Sequence, residues 1–439
     1  MKDCKKPRIL IISSAIPTKG PGIVALNGYK AFKNHGYEVD LLTLFQTEGY
    51  PEFLSIYNCL EGEKRKFIVK IKNKIDRICR RLDIKQNYGH YFFYRKETCP
   101  PVPVFEVLKC IKKEYDIVYI YFWQKMLSYQ TVRAIYRKLH CQIHFRCVDY
   151  SPMAGGCHFT GDCQRYKTGC GCCPGIYSTD SDDFTSFNIK YRTKVLKEVH
   201  PVIWSNNYMQ TFFKRSFLLN KYDRLEISYP LIDNNMFRPL NKEMLRNEFN
   251  IPLQKRFIFF FGAQSLNDKR KGISYLLEAL EILYNQLTGE ERDSILLLLA
   301  GRDIEPIKDK LLFDYKHLGF VSPDELPKIY SLADAFLSPS VNDAGPLMVN
   351  QSLSCGTPVV AFEMGTALDM VKDKGTGYCA ELRNAEDYAK GMEYIYRLSD
   401  EDYASMRKTC QEVSIQLTSE EAFIERFLNI YNLYREKGI

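Results

Sequence analysis

No stretch of the 439 residues approaches the roughly 18 consecutive apolar positions that a membrane-crossing helix needs. The longest apolar runs, residues 257–262 and 295–300, have the length of buried strands. An internal repeat and a polar low-complexity linker are both missing, which speaks against a repeat array or a tethered disordered region. Strong charge of one sign is missing too, because 61 Lys+Arg face 53 Asp+Glu, a formal charge of +8. With 45% hydrophobic and 26% charged residues, 25 Gly and 19 Pro, collagen, fibres and disorder are excluded. One core rarely exceeds roughly 250–300 residues, so two sizeable domains are expected.

An export signal is not expected either. The four apolar residues 9–12 after a basic start are too few for a signal core, and a first buried strand is the better reading. Without export, the fifteen cysteines should be mostly reduced and the protein cytoplasmic. Ten of them are scattered and suit small core positions. The other five crowd between Cys157 and Cys173.

The chain alternates strand and helix twice. Residues 8–13 read as a strand, residues 18–22 as a Gly-containing loop, residues 23–36 as a helix and residues 38–44 as a strand. This is the βαβ pattern of a doubly wound parallel sheet. Residues 117–121, 142–145 and 202–204 fit further strands. Residues 225–239, with Pro230 and Pro239 on either side of an Asp-Asn-Asn cluster, read as the crossover between domains. Then come strand 257–261, helix 271–286, strand 295–300, helix 322–332, strand 335–337, helix 346–354 and strand 358–362. Helical patterns run from residue 384 to the end.

Two strand-to-helix corners in the second half carry suitable chemistry, since parallel sheets bind ligands at strand carboxyl ends near free helix amides. In Gly262-Ala-Gln-Ser-Leu-Asn-Asp-Lys-Arg-Lys-Gly272, Arg270 and Lys271 could clamp a diphosphate, although a solvated basic turn reads the same way. The second corner, Ser338-Pro-Ser-Val-Asn-Asp-Ala-Gly-Pro-Leu-Met-Val-Asn-Gln-Ser-Leu-Ser-Cys-Gly-Thr-Pro-Val-Val-Ala361, runs strand, loop, helix, strand. It resembles the donor-binding segment of the family 4 glycosyltransferases, which have the GT-B fold. Arg270-Lys-Gly272, Gly319-Phe-Val-Ser-Pro-Asp-Glu-Leu326, Tyr330-Ser-Leu-Ala-Asp334 and Gly375-Thr-Gly377 match that family in the same order.

The resemblance implies an α/β protein of two Rossmann-like, doubly wound parallel-sheet domains facing a cleft, with C-terminal helices. The expected boundaries are 1–235 for an acceptor-side domain and 236–418 for a nucleotide-sugar donor domain. Residues 419–439 would form a helix packing back on the first domain. Inserts fall at about 61–90 and 155–174. The implied reaction is retaining, metal-independent transfer of a sugar from a nucleotide diphosphate donor to a growing glycan or lipid-linked glycan, plausibly a bacterial surface polysaccharide.

The family's two glutamate positions fall here on Asp343 and Gln351. By analogy Asp343 bonds hydroxyls of the donor sugar and Gln351 faces the nucleotide ribose. Replacing a charged acceptor by a neutral one lowers a hydrogen bond from about 1.5–3 to about 1 kcal/mol, which weakens donor binding without removing activity. Gly345 lies in the loop between them, and the amides of Leu347 and Met348 open the helix. Gly319 belongs to the same module. In the first domain, the Gly20-Pro-Gly22 loop could approach the donor phosphates or form a plain turn. The stretch where the family often has histidine before aspartate reads Cys147-Val148-Asp149. No histidine-dependent mechanism carries over, and Asp149 either serves the acceptor or caps a helix.

The insert Gly155-Gly-Cys157-His-Phe-Thr-Gly-Asp-Cys163-Gln-Arg-Tyr-Lys-Thr-Gly-Cys170-Gly-Cys172-Cys173-Pro174 resembles one in a bacterial polysaccharide glycosyltransferase subgroup. Cys157, Cys163, Cys170 and Cys173 suit a compact knuckle, with structural zinc, an iron–sulfur cluster, a labile disulfide or unligated thiols left open. Residues 61–90 hold ten Lys/Arg against four acids, most of the net charge. Ile71, Ile75, Ile78 and Leu82 share one helical face there, which fits either an anionic lipid surface at the inner face of the cytoplasmic membrane or docking on the parent domain. Two other classes stay open. One is a non-catalytic sugar-nucleotide or glycan binder. The other is a zinc-knuckle nucleic-acid binder, which leaves the second domain's motifs without a role.

Overall fold

The computed structural model describes residues 6–18, 20, 22–59 and 96–436. The basic segment expected to be helical, 61–90, lies outside the described residues. The chain divides into two compact units. One holds Met1–Ser205, Met209–Ser228 and Asn429–Ile439, and the other holds Asn206–Tyr208 and Tyr229–Leu428.

The first unit is built on a seven-stranded sheet of β1 (Ile9–Ser13), β2 (Val39–Phe45), β3 (Leu54–Tyr57), β4 (Ile117–Ile120), β5 (Gln142–Arg146), β6 (Val202–Ser205) and β7 (Leu225–Ile227). Their order is β3-β2-β1-β4-β5-β6-β7, and every pairing is parallel. Central strands β1 and β4 are buried along their whole length, as unbroken apolar runs with helices on both faces require. The segment expected to be pure crossover opens with β7, whose Leu225 pairs with Ile203, so the passage between units comes at Ser228/Tyr229. Near the chain's end, Tyr434 donates its hydroxyl to Glu226 (2.7 Å) and lies under the Arg224 guanidinium.

The second unit carries β8 (Phe257–Ser265), β9 (Ile295–Arg302), β10 (Tyr315–Gly319), β11 (Ala335–Ser338), β12 (Val359–Phe362) and β13 (Gly377–Ala380). Their order is β10-β9-β8-β11-β12-β13, again wholly parallel. In each sheet the order reverses once, between β1 and β4 and between β8 and β11. That is the switch point at which doubly wound sheets open a crevice at their carboxyl ends. The helix Ile273–Gln286 turns Leu276, Ala279, Leu280 and Leu283 into the core against β8 and β9.

One polar knot lies inside the first unit. Glu97 and Arg192 are both 1% exposed and bond at 2.5 Å. The second carboxylate oxygen of Glu97 accepts the Tyr129 amide (2.7 Å) and so satisfies an orphan donor at the start of the helix Tyr129–Leu139. Arg192 also donates to the carbonyls of Ser151 and Ala154. Asn188 accepts the Glu97 amide (2.9 Å) and donates to Gly155 (2.8 Å). Arg192→Met would leave the Glu97 carboxylate buried without its cation. A loss of about 3–5 kcal/mol in urea unfolding followed by Trp fluorescence is expected.

His144, also fully buried, accepts a bond from Trp204 Nε1 at 3.0 Å. Burial, helped by the Arg224 charge, lowers its pKa from the ordinary 6.5 to about 3. Below pH 6.5 the unfolded chain therefore takes up a proton that the folded chain refuses. This share of stability is complete above pH 6.5 and is lost as pH falls toward 3, by about 2 kcal/mol at pH 5. A His144→Gln variant should show a correspondingly flatter fall in thermal midpoint between pH 7 and pH 5.

Candidate functional site

In the second unit, two loops leave the carboxyl ends of the neighbouring strands β8 and β11 and are tied together. The Asp268 carboxylate accepts from the Arg270 amide (3.0 Å) and from its guanidinium (2.7 Å), which closes the tight turn Lys269–Lys271. The carbonyl of Arg270 accepts the amides of Val341 (2.9 Å) and Asn342 (3.3 Å) from the other loop. Gly272 makes this approach feasible: its φ is +69°, and a Cβ there would stand 1.8 Å from the Pro339 carbonyl oxygen.

The outcome is an ion pair across the switch point. Lys271 Nζ lies 2.6 Å from Asp343 Oδ2, with the two side chains 26% and 14% exposed. The other Asp343 oxygen accepts the Gly345 amide (3.2 Å). Burial pushes the Asp343 carboxyl up, but the Lys271 ammonium, the Gly345 amide and the Arg270 charge outweigh it and hold the pKa below the ordinary carboxylate value. Asn206 donates to the Ala344 carbonyl (2.7 Å), steadying the same loop. The helix Leu347–Ser354 starts just beyond, so the amides of Leu347 and Met348 stand in its first turn without intrahelical partners.

Other expected residues stand differently. Arg270 spends part of its guanidinium on Asp268, so Lys271 is the cation that meets Asp343. Gln351 is buried in the helix, and its side-chain oxygen accepts from the Tyr330 hydroxyl (3.4 Å). Its neighbour Asn350 was not singled out by the sequence. It is fully buried with neither amide atom hydrogen-bonded among the described residues. Gly319 closes β10, two strands from β8.

In the first unit, Gly20 lies in the loop after β1 with φ +50°, and Gly22 opens the helix Gly22–Asn34. A Cβ on Gly22 would stand 1.9 Å from the Ile16 carbonyl oxygen, so this glycine is needed for packing. Asp149, beyond β5, caps no helix. It is 2% exposed, accepts the Ser151 amide (2.8 Å) and a Gln124 side-chain bond, and meets His158 Nδ1 at 2.7 Å. His158 is 17% exposed and packs edge-on against Phe122. The first unit therefore does contain a histidine at its strand ends, supplied by the Cys-rich insert and not by the strand before Asp149. Its signal was the His in Gly-Gly-Cys-His, visible in sequence but read only for its thiols.

The insert itself gathers Cys157, Cys163, Cys170 and Cys173 around one small cavity. All thirteen described cysteines are free thiols. Among the described residues, no three His, Cys, Asp or Glu side chains form a ready-made ligand set for a metal ion.

Residues 241–413 match the family model described as glycosyl transferases group 1. An uncharacterized glycosyltransferase of Methanocaldococcus jannaschii is 28% identical over 162 residues, 35% of this chain and 39% of the relative. The chain thus spans about two fifths of the length of that curated relative. Among solved structures, sucrose-phosphate synthase from Thermosynechococcus elongatus superposes with a TM-score of 0.63 at 16% identity, covering 98% of this chain and 99% of that one. HepE from Anabaena, solved in complex with UDP-glucose, superposes with a TM-score of 0.61 at 13% identity, over 98% and 100% of the two chains. The chain has the α/β GT-B fold, and its residues 241–413 carry the sequence pattern of the group 1 glycosyl transferases.

Proposed function

We propose that this protein is a glycosyltransferase. It moves a sugar from a nucleotide diphosphate donor to a hydroxyl of a glycan, with retention at the anomeric carbon and no divalent cation. The observation that carries the reading is the Lys271–Asp343 pair at the adjoining carboxyl ends of β8 and β11. An ammonium and an ionised carboxylate side by side, next to a helix start, match the two ends of a sugar diphosphate. Lys271, with Arg270 and the Leu347 and Met348 amides, takes the diphosphate. Asp343 takes sugar hydroxyls.

In the reaction the bond from the anomeric carbon to the diphosphate oxygen breaks, and a bond to the acceptor oxygen forms. The nucleoside diphosphate leaves with the electron pair and the hydroxyl proton. Positive charge fixed at the leaving oxygens supplies the stabilisation that a metal supplies elsewhere. The match of residues 241–413 and the UDP-glucose complex of a protein sharing the fold support a nucleotide sugar as donor. On the acceptor side, His158, held by Asp149, would orient an incoming hydroxyl.

A growing bacterial surface polysaccharide on a lipid carrier is the acceptor we favour, with the protein at the inner face of the cytoplasmic membrane. The basic segment 61–90 would supply attraction to anionic lipid. Among the described residues no helix is long and apolar enough to cross a membrane.

Lys271→Ala should abolish transfer from a radiolabelled donor while the circular dichroism stays that of the folded protein, with a thermal midpoint lowered by the stranded Asp343 carboxylate. Full activity in that variant would remove the assignment. A thermal-shift panel of UDP-, GDP- and dTDP-sugars identifies the donor, because a ligand at 100 times its Kd stabilises by about 2.7 kcal/mol. His158→Ala should lower turnover about 100-fold through lost orientation of the acceptor, with donor affinity kept, measured by donor titration beside the transfer assay.

A further inference from the structure

We propose that Cys157, Cys163, Cys170 and Cys173 bind one structural zinc ion, which fastens the insert carrying His158. The inference stands apart from the donor site, so its failure leaves the proposed transfer reaction untouched.

The four cysteines line a single enclosed cavity of about 20 Å³, room for one small ion or one water molecule. Two come from a strap, Cys157 and Cys163, and two from a tight turn with the Cys-x-x-Cys spacing of metal knuckles, Cys170 and Cys173. The turn is costly in itself. Cys170, Gly171 and Cys172 have φ of +63°, +82° and +43°, three consecutive left-handed residues of which two bear side chains. Such backbone persists only where its surroundings over-determine it. Here the Gly171 amide donates to Thr185 (3.1 Å), the Cys172 amide to the Asp180 carbonyl (2.7 Å) and the Cys173 amide to Asp183 (3.0 Å).

A dication held by four cysteines takes them as thiolates, since zinc-bound thiols are deprotonated. Tetrahedral thiolate coordination selects zinc among common ions. Because no three of the side chains yet form a ligand set, binding includes convergence of the four sulfurs by side-chain rotation. Cys172 takes no part: its thiol turns to the Thr179 carbonyl (3.2 Å).

Elemental analysis of the full chain, purified under reducing conditions, tests the proposal. About one zinc per chain is expected in the wild type and in Cys172→Ser, and less than about one fifth of that in Cys163→Ser/Cys170→Ser. Should the double variant fail to fold, cobalt exchanged into the wild type gives the second readout, an intense thiolate-to-cobalt charge-transfer band with the ligand-field absorption of tetrahedral cobalt. A metal-free wild type, iron with acid-labile sulfide, a disulfide among these four residues in the freshly reduced protein, zinc retained in a folded double variant, or a cobalt spectrum without the thiolate band would each overturn it.

Discussion

The buried contact between Glu97 and Arg192 determines where the functional loop of the first unit can go. Neither charge reaches water, so every remaining donor and acceptor on both groups has to find a partner nearby. Those partners are the start of the helix Tyr129–Leu139 and the carbonyls of Ser151 and Ala154. The requirement pins the chain just after Asp149 and just before Cys157. Asp149 and His158 are thus placed by a charge pair that grips the chain between them. A buried pair of this sort is poor evidence for stability in itself, and its use here is to specify one loop path among many.

The second unit reaches the same end largely through its backbone. There the Arg270 carbonyl is the acceptor for two amides of the opposing loop, and glycine at 272 removes the one Cβ that would keep the loops apart. In the second unit the Lys271–Asp343 pair sits where strand order reverses, whereas in the first Asp149 and His158 follow β5, one strand beyond the reversal; in both, the polar residues sit on loops above apolar strands. That division is what allows polar, partly exposed groups to be held to a fraction of an ångström without unsettling the core.

What the sequence made legible follows burial. Strands β1, β8 and β9 are continuous apolar runs because both their faces are covered, and they were found from that pattern. Strands β3 and β7 are edge strands of four and three residues with intermediate exposure, too short for their pattern to stand out from connecting chain. Lys271 and Asp343 were each visible as local motifs, but their contact spans 72 positions and depends on the neighbouring of β8 and β11. The Asp149–His158 pair was hidden differently. The two residues are only nine apart, yet the turn that folds one onto the other is made by the insert, whose thiols drew the reading to themselves.

The closure of Lys271 upon Asp343 also bears on what this site prefers. A bare anion such as inorganic phosphate can gain the lysine only by stranding a mostly buried carboxylate, a cost comparable to the gain. A ligand that brings phosphate and hydroxyls together satisfies both partners at once. In the proposed reaction, once the sugar has gone to the acceptor the remaining nucleoside diphosphate would hold only one of the two, and the carboxylate would compete to recover its ammonium. On that reading the internal ion pair would act as a built-in competitor, weak against the whole donor and effective against the spent one.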